Sequence, residues 1–351
     1  MNPAVKTSMP SMLFRKPAVL PCFSFLFEQK ENSIVHCYMN SVLKPLMPLA
    51  TVAFLIVAMS GLNAQTSTAT TDIMGYSTVS LPSGGSALVP LFVIPSAYSA
   101  SSSFDGTSNL SATGLTSGAF NPVNGFPVYY VEICSGNYTG FNYPVTSNTS
   151  SKIVASGLPS DLGATVSIKI RPYTTLATVS SGSSGLSDYS DSLTLYQASN
   201  QISSYVYALG GVLDGDGNPA NGVPISPGMG LIVNNAGNAT VTFIGEVNTN
   251  QCVVPLNAGT TLIGSLNPQG GQSVAAMNLA PALAPYSDTA SLVAADGSLS
   301  ITSFLSDGSN LLDGDGNIIT GSNSPTVTAG NGFIVNSGQN GFWTNASVLS
   351  N

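Results

Sequence analysis

Past Gln65 the chain contains no histidine and only three basic residues, Lys152, Lys169 and Arg171. Histidine is the side chain best matched to proton transfer near neutral pH and a very common metal ligand, so its absence removes most acid–base and nucleophile-activating arrangements. So few cations leave little to grip phosphates, which excludes nucleic acid as a partner. Charged residues make up 7% of the whole chain, against roughly 25% in ordinary globular proteins. Residues 65–351 carry fourteen acids against three bases, a net charge of -11. That field disfavours anionic lipid surfaces and favours solubility of a β-rich chain. There is no Gly-x-Ser-x-Gly elbow with a base, no phosphate loop and no Cys/His cluster. Ser, Thr, Asn and Gly stand where charges would be, giving the polar, uncharged surface common in exported β-rich proteins.

An export signal is legible. Lys44 precedes an apolar run from Leu46 to Met59, broken by Pro48 and Thr51, and Ser60-Gly61-Leu62-Asn63-Ala64 leads to Gln65. This is the order of a charged region, an apolar region and a small residue at a cleavage point. A membrane anchor is the competing reading, but the uninterrupted apolar stretch is short for a span. Membrane contact is therefore expected only during export. Residues 1–38 fit neither role, and Met39-Asn40-Ser41 is the expected start, with 39–64 the signal peptide.

Two cysteines, Cys22 and Cys37, precede the signal, and Cys134 and Cys252 follow it. Export permits a Cys134–Cys252 disulfide; two buried free thiols are the alternative, and the sequence leaves both open.

Strands and turns account for the rest. Val166 to Arg171, Thr240 to Phe243 and Leu193 to Tyr196 alternate apolar and polar residues, and Tyr129, Val131 and Ile133 form one face of another strand. Asp-Gly turns recur at Asp214, Asp296 and Asp313. A short helix is expected at about residues 273–280, ended by Pro281. Several segments return in order. Leu213-Asp214-Gly215-Asp216-Gly217-Asn218 matches Leu312-Asp313-Gly314-Asp315-Gly316-Asn317, and Gly230-Leu231-Ile232-Val233-Asn234 matches Gly332-Phe333-Ile334-Val335-Asn336. Ser190-Asp191 answers Ser287-Asp288, and Leu81, Gly84, Leu88 and Leu91 answer Leu256, Gly259, Ile263 and Leu266. From the leading strand to the Ser-Asp element is about 110 residues in the first copy and about 32 in the second. The expected fold is all-β: a duplicated β domain, sandwich or barrel, with a small β-rich insertion in its first half. The boundaries read as 65–125 with 180–247 for the first repeat, 126–179 for the insertion and 248–351 for the second repeat.

Gly75-Tyr76-Ser77-Thr78, Tyr130-Val131-Glu132-Ile133, Ile170-Arg171-Pro172-Tyr173-Thr174-Thr175-Leu176 and Thr242-Phe243-Ile244-Gly245-Glu246-Val247 resemble segments of a family of secreted, mostly uncharacterised bacterial β-rich proteins with two related halves. The resemblance covers most of residues 75–351. It implies export and architecture, and supports a start at Met39, but assigns no active site.

Three sets of residues carry candidate chemistry. Asp214, Asp216 and Asn218, and again Asp313, Asp315 and Asn317, place oxygens at positions 1, 3 and 5, as a calcium loop begins. Position 6 is Pro219 or Ile318 and position 12 is Ile225 or Ser324, so a hairpin turn capped by its own Asp is the competing explanation. Glu132 and Glu246 are the only glutamates after Gln65. They are the route to glycoside hydrolysis by a carboxylate pair, but their spacing pairs nothing and both read as solvent-facing strand residues. Tyr138, Phe141 and Tyr143, interleaved with Asn137, Gly140 and Asn142, suit sugar rings, which stack on aromatic faces beside amides; their alternative is the module's own core. The sequence thus predicts an exported, non-enzymatic protein with a cell-surface structural or adhesive role. Carbohydrate binding through the aromatic loop is the second reading and hydrolysis a distant third. The expected partners are cell-envelope components or polysaccharide, with no cofactor unless calcium.

Overall fold

Alternation builds the strands. In Thr165–Pro172, Val166, Ile168 and Ile170 are buried while Thr165 and Ser167 face solvent, the pattern of a sheet with one face on a core. The computed structural model describes residues 72–196 and 202–346. The expected gene-start extension and signal peptide, residues 1–64, lie outside the described residues. The fold is all-β, and the one α-helix among the described residues, Leu176–Gly182, is capped by Thr175. Where a helix was expected near 273–280 there are two 3₁₀ turns, Ala275–Met277 and Ala280–Ala282, separated by Asn278 in a left-handed conformation.

Two five-stranded antiparallel sheets follow one plan. The first runs Gly211–Leu213, Ile202–Ala208, Ser192–Tyr196, Leu231–Asn235, Gly84–Leu88. The second runs Leu311–Leu312, Ile301–Ser306, Thr289–Val293, Phe333–Ser337, Gly259–Ile263. Each is joined by a further strand pair. Met74–Leu81 lies against Ala239–Glu246 along its whole length, and Cys252–Leu256 against Gly341–Asn345. The first half packs around Leu88, Leu193, Leu231, Val233 and Phe243. The second packs around Ile263, Phe304, Phe333, Val335 and Trp343, with the Trp343 Nε1–H donating to Met277 O at 2.8 Å. Ala87, Ile232, Leu262 and Val293 form an apolar seam between the two sheets. At one end of that seam the backbones touch. Gly85 N donates to Gly297 O at 2.7 Å, and a Cβ on Gly84 (φ +116°) would come within 2.2 Å of that same oxygen.

A third sheet of six strands interrupts the first half. Its order is Tyr98–Ser103, Thr165–Pro172, Tyr129–Ile133, Asn142–Asn148, Lys152–Ala155, Asn109–Ser111. A bridge from Phe104 to Leu110 brings its two edges together into a nearly closed barrel, filled by Val131, Ile133, Val145, Ile153, Ile168 and Ile170. The module therefore spans residues 98–172, starting earlier and ending earlier than the expected 126–179. Its first strand is serine-rich, with Ser99, Ser101, Ser102 and Ser103, and so lacks the apolar alternation that marks the others. Residues 173–179 belong to the first half. Thr174–Thr175 pairs with Pro224–Ile225, and Leu176 and Val179 enter the first core.

The Ser-Asp elements occupy matching places in the two plans. Asp191 is buried and accepts from Ser187 N at 2.7 Å and Ala236 N at 2.8 Å. Asp288 is buried and accepts from Ala284 N and Gly338 N, both at 2.9 Å, and from Ser337 Oγ at 2.7 Å. Each carboxylate ties the turn before one strand to the turn after its neighbour. The preceding tyrosines, Tyr189 and Tyr286, are held at φ +58° and +57° with their rings exposed. Removing either carboxylate strands buried N–H donors. Asp191→Ala and Asp288→Ala are each expected to cost about 3 kcal/mol, checked by urea denaturation, whereas Asp216→Ala on the surface should leave stability within about 0.5 kcal/mol.

Candidate functional site

The loop after Ile133 is shaped by two glycines. Gly136 and Gly140 take φ +81° and +89°, and a Cβ at Gly140 would lie 2.6 Å from Gln251 O. This close approach lets the barrel dock on the segment linking the two halves. Val253 N donates to Gly140 O at 2.9 Å and Gln251 Nε2 to Thr139 O at 2.7 Å. The same loop carries Tyr138 and Phe141, and the strand after it, Asn142–Asn148, carries Tyr143, completing the aromatic set predicted from sequence. Tyr138 meets Phe141 edge-on at 5.5 Å, and Phe141 lies nearly parallel to Tyr143, 11° between planes and 6.3 Å between centroids. Tyr138 Oη donates to Asp161 Oδ1 at 2.6 Å. Burial pushes the Tyr143 phenol up to about 12. Tyr138 and Tyr143 lean on the barrel core and are half-buried.

Sequence reasoning missed the fourth ring. Phe342, 58% exposed, meets Phe141 at 5.1 Å from the second half's last strand. The signal was present: strand period two sends Phe342 outward once Trp343 is placed in the core. The other clustered tyrosines divide differently, since Tyr130 is buried against Tyr173 and Tyr129 packs on Phe120. The outcome is a surface of four rings contributed by the barrel and the second half, bordered by Asp161 and Gln251 and free of cations.

The two glutamates are brought together, contrary to expectation, and neither faces solvent. Both converge on Arg171, which is 1% exposed. Its Nε donates to Glu132 Oε2 at 2.5 Å, and its terminal nitrogens donate to Glu246 Oε2 and Oε1 at 2.6 and 2.7 Å and to Ile94 O at 3.1 Å. Lys169 reaches Glu246 Oε1 at 3.3 Å, and Asn250 donates to Glu132 Oε1 at 3.1 Å. Burial works to raise the Glu246 carboxyl, but the Arg171 bonds outweigh it and hold it below the usual range. Glycoside hydrolysis needs one protonated acid and a second carboxylate across a substrate-sized gap. Here the carboxylates are bridged by one guanidinium, and the crevice beside Glu132 is too narrow to admit water.

The Asp-Gly loops direct their carboxylates inward. Asp214 Oδ1 accepts from Asp216 N at 3.0 Å and Asn218 N at 2.8 Å, and Asp313 Oδ1 accepts from Asp315 N and Asn317 N at the same two distances. Asp105, Asp296 and Asp307 cap their own turns in the same way without the 1, 3, 5 spacing. The first carboxylate of each loop thus serves as a turn cap, the role the competing explanation gives it. No cluster of three metal-ligating His, Cys, Asp or Glu side chains occurs among the described residues.

Of the two readings left open for Cys134 and Cys252, the structure has the free thiols. Cys134 lies just past the end of the barrel strand Tyr129–Ile133 with its sulfur on Glu132 O, while Cys252 is buried in the second core with its sulfur on Pro227 O. Burial pushes both thiols up to about 12, where little reactive thiolate forms at neutral pH.

Two outcomes follow from these charges. Arg171→Met leaves two buried carboxylates without their cation and should destabilise the protein by about 3–5 kcal/mol. The triple change with Glu132→Gln and Glu246→Gln should recover much of that loss, read by chemical denaturation. Asp105, Asp214, Asp296, Asp307 and Asp313 are held below the usual carboxylate range by hydrogen bonds from their own turns, as is Asp288, where donors outweigh burial. A folded-state pKa below the unfolded value gives stability that is full above about pH 4 and lost as pH falls through the folded value. Melting temperature should therefore be flat from pH 5 to 8 and drop below about pH 4; a step between pH 6 and 7 would contradict the assignment.

No protein-family model, curated protein or solved structure matches the chain, so its function has to be read from its own side chains.

Proposed function

We propose that this is an exported, non-catalytic adhesive protein of the cell surface, built by duplication of a β domain, whose four-ring surface holds neutral polysaccharide. One observation carries the reading: the half-buried rings of Tyr138, Phe141 and Tyr143 touch in a chain that ends on the exposed Phe342 of the second half. Aromatic faces beside hydrogen-bonding groups suit the apolar faces and hydroxyls of sugars. The chemistry around them supports a binding role over catalysis. Both glutamates are bound to Arg171, and the seven aspartates described above anchor turns, so the main candidate acids already have partners. A surface low in charge favours contact with uncharged polymer over nucleic acid or anionic lipid.

Retention on insoluble cellulose, chitin and cell-wall polysaccharide tests this. Wild-type protein is expected to be retained on at least one of them. Phe342→Ser and Phe141→Ala should each weaken retention about tenfold or more, a loss consistent with the roughly 0.5–1.5 kcal/mol per aromatic contact plus lost area. Phe342→Ser should leave the melting temperature unchanged. Retention that survives both changes, or is lost only together with folding, would sink the proposal. Protease shaving of intact cells tests the surface location, which requires release of peptides from residues 72–346.

A further inference from the structure

The two halves enclose a cleft of about 230 Å³ that belongs neither to the ring surface nor to the Arg171 cluster. One wall is the strand Met74–Leu81 at Thr78, Val79 and Ser80. The second is the edge of Gly84–Leu88 at Ser86 and Ala87, and the third comes from the second half at Ala295 and Thr328. These two first-half strands belong to different sheets and share no ladder, so they splay apart after the turn at Pro82.

Two observations place polar groups without protein partners in this cleft. Ser86 is 3% exposed, and its hydroxyl is one of only two buried side-chain polar atoms among the described residues with no hydrogen-bond partner. The second concerns the backbone beside it. In an antiparallel strand, alternate residues direct N–H and C=O to the same edge. Gly85 N reaches Gly297 O at 2.7 Å and Val89 N reaches Gly330 O at 2.8 Å across that edge. Ala87, between them, aims its peptide groups the same way and makes no bond there with any described residue. A buried hydroxyl thus stands beside the N–H and C=O of a buried residue, none of them bonded to a described residue across this edge, and such groups are costly to leave unmade.

The cleft also constrains what can satisfy them. The two pinned bonds are four residues apart, about 13 Å along the strand. A peptide cannot run along the edge past both pins, which rules out strand addition and leaves room for a compact molecule. The lining contains no charge and no aromatic ring, so neither an anion nor a stacked aromatic ligand is favoured. Its volume lies below the roughly 300–1,000 Å³ of drug-sized pockets. Hydroxyls both donate and accept, as Ser86 and the Ala87 peptide require. We propose that the cleft between the two halves, at Ser86 and Ala87, binds a single neutral sugar or similarly compact polyol, independently of the ring surface.

Saturation-transfer NMR on the full-length protein tests this, with methyl α-glucoside, methyl β-galactoside and N-acetylglucosamine as probes and acetate and glycylglycine as controls. At least one sugar is expected to respond. Ser86→Val removes the hydroxyl, and Ala295→Leu fills the cleft from its exposed side. Each should weaken that response at least tenfold while Phe342→Ser leaves it intact. Two cleft variants are used so that a folding defect in one, visible in its melting curve, leaves the other to decide. No response from any sugar, a response from glycylglycine or acetate alone, or a sugar response that survives the folded cleft variants would overturn the proposal. Loss with Phe342→Ser but not with the cleft variants would assign the sugar to the rings instead and equally overturn it. Retention on polysaccharide that fails while a cleft response persists would remove the ring-surface reading and leave this one standing.

Discussion

Arg171 is the only guanidinium in residues 65–351, and three separate stretches of chain meet on it. It belongs to the barrel, as does Glu132 on the neighbouring strand; Glu246 ends a strand of the first half, and Ile94 lies on the path into the barrel. Taking these ions out of water costs several kcal/mol apiece, and their mutual attraction offsets that only when every oxygen and nitrogen is met. Here Lys169 and Asn250 complete the two carboxylates. A cluster that is stable only when complete acts as a key: the barrel is held against the first half in the one arrangement that assembles all of it. The linker bonds from Gln251 and Val253 and the ring surface both depend on that seating.

Acids elsewhere do a different job. A chain this poor in charge has few cations to pair with its carboxylates, and most of them accept from backbone N–H groups instead. Exposed aspartates close Asp-Gly turns, and buried Asp191 and Asp288 join neighbouring turns within each half. This explains how a sequence of Ser, Thr, Asn and Gly, with weak apolar patterning in places, still specifies its hairpins. Turn geometry is set by the acid at its first position, and register follows from the turn.

Local features were legible and distant meetings were not. Val166, Ile168 and Ile170 announced their strand by period two, and the Ser-Asp and Asp-Gly segments appeared in order because turns are written in consecutive residues. The barrel's first strand was missed because Ser99 to Ser103 carries little apolar signal, its burial coming from neighbours that close over it. Glu132 and Glu246 read as surface residues because a carboxylate's burial is decided by its cation, and Arg171 comes from strand pairing that spacing does not reveal. Phe342 joined Tyr138, Phe141 and Tyr143 for the same reason: its outward face was readable, its neighbours were not. The cysteines divide between the barrel and the second core, a partition that only the tertiary arrangement decides.

The interrupted order of the first half has a consequence for how the chain assembles. Every strand of the barrel lies within residues 98–172, so it can close as soon as that stretch is available, with Arg171 and Glu132 already side by side. Met74–Leu81 and Gly84–Leu88 must wait for partners at 239–246 and 231–235, across loops whose closure is slow to be repaid. Until then their edges are open, and the second half presents strands of the same plan that could capture them. A barrel formed by then would stand between them, with Arg171 placed to donate to the segment that brings Glu246. Were the barrel to close first, the long-range search would become a choice with one matching answer, keeping the strands of the first half from pairing with those of the second.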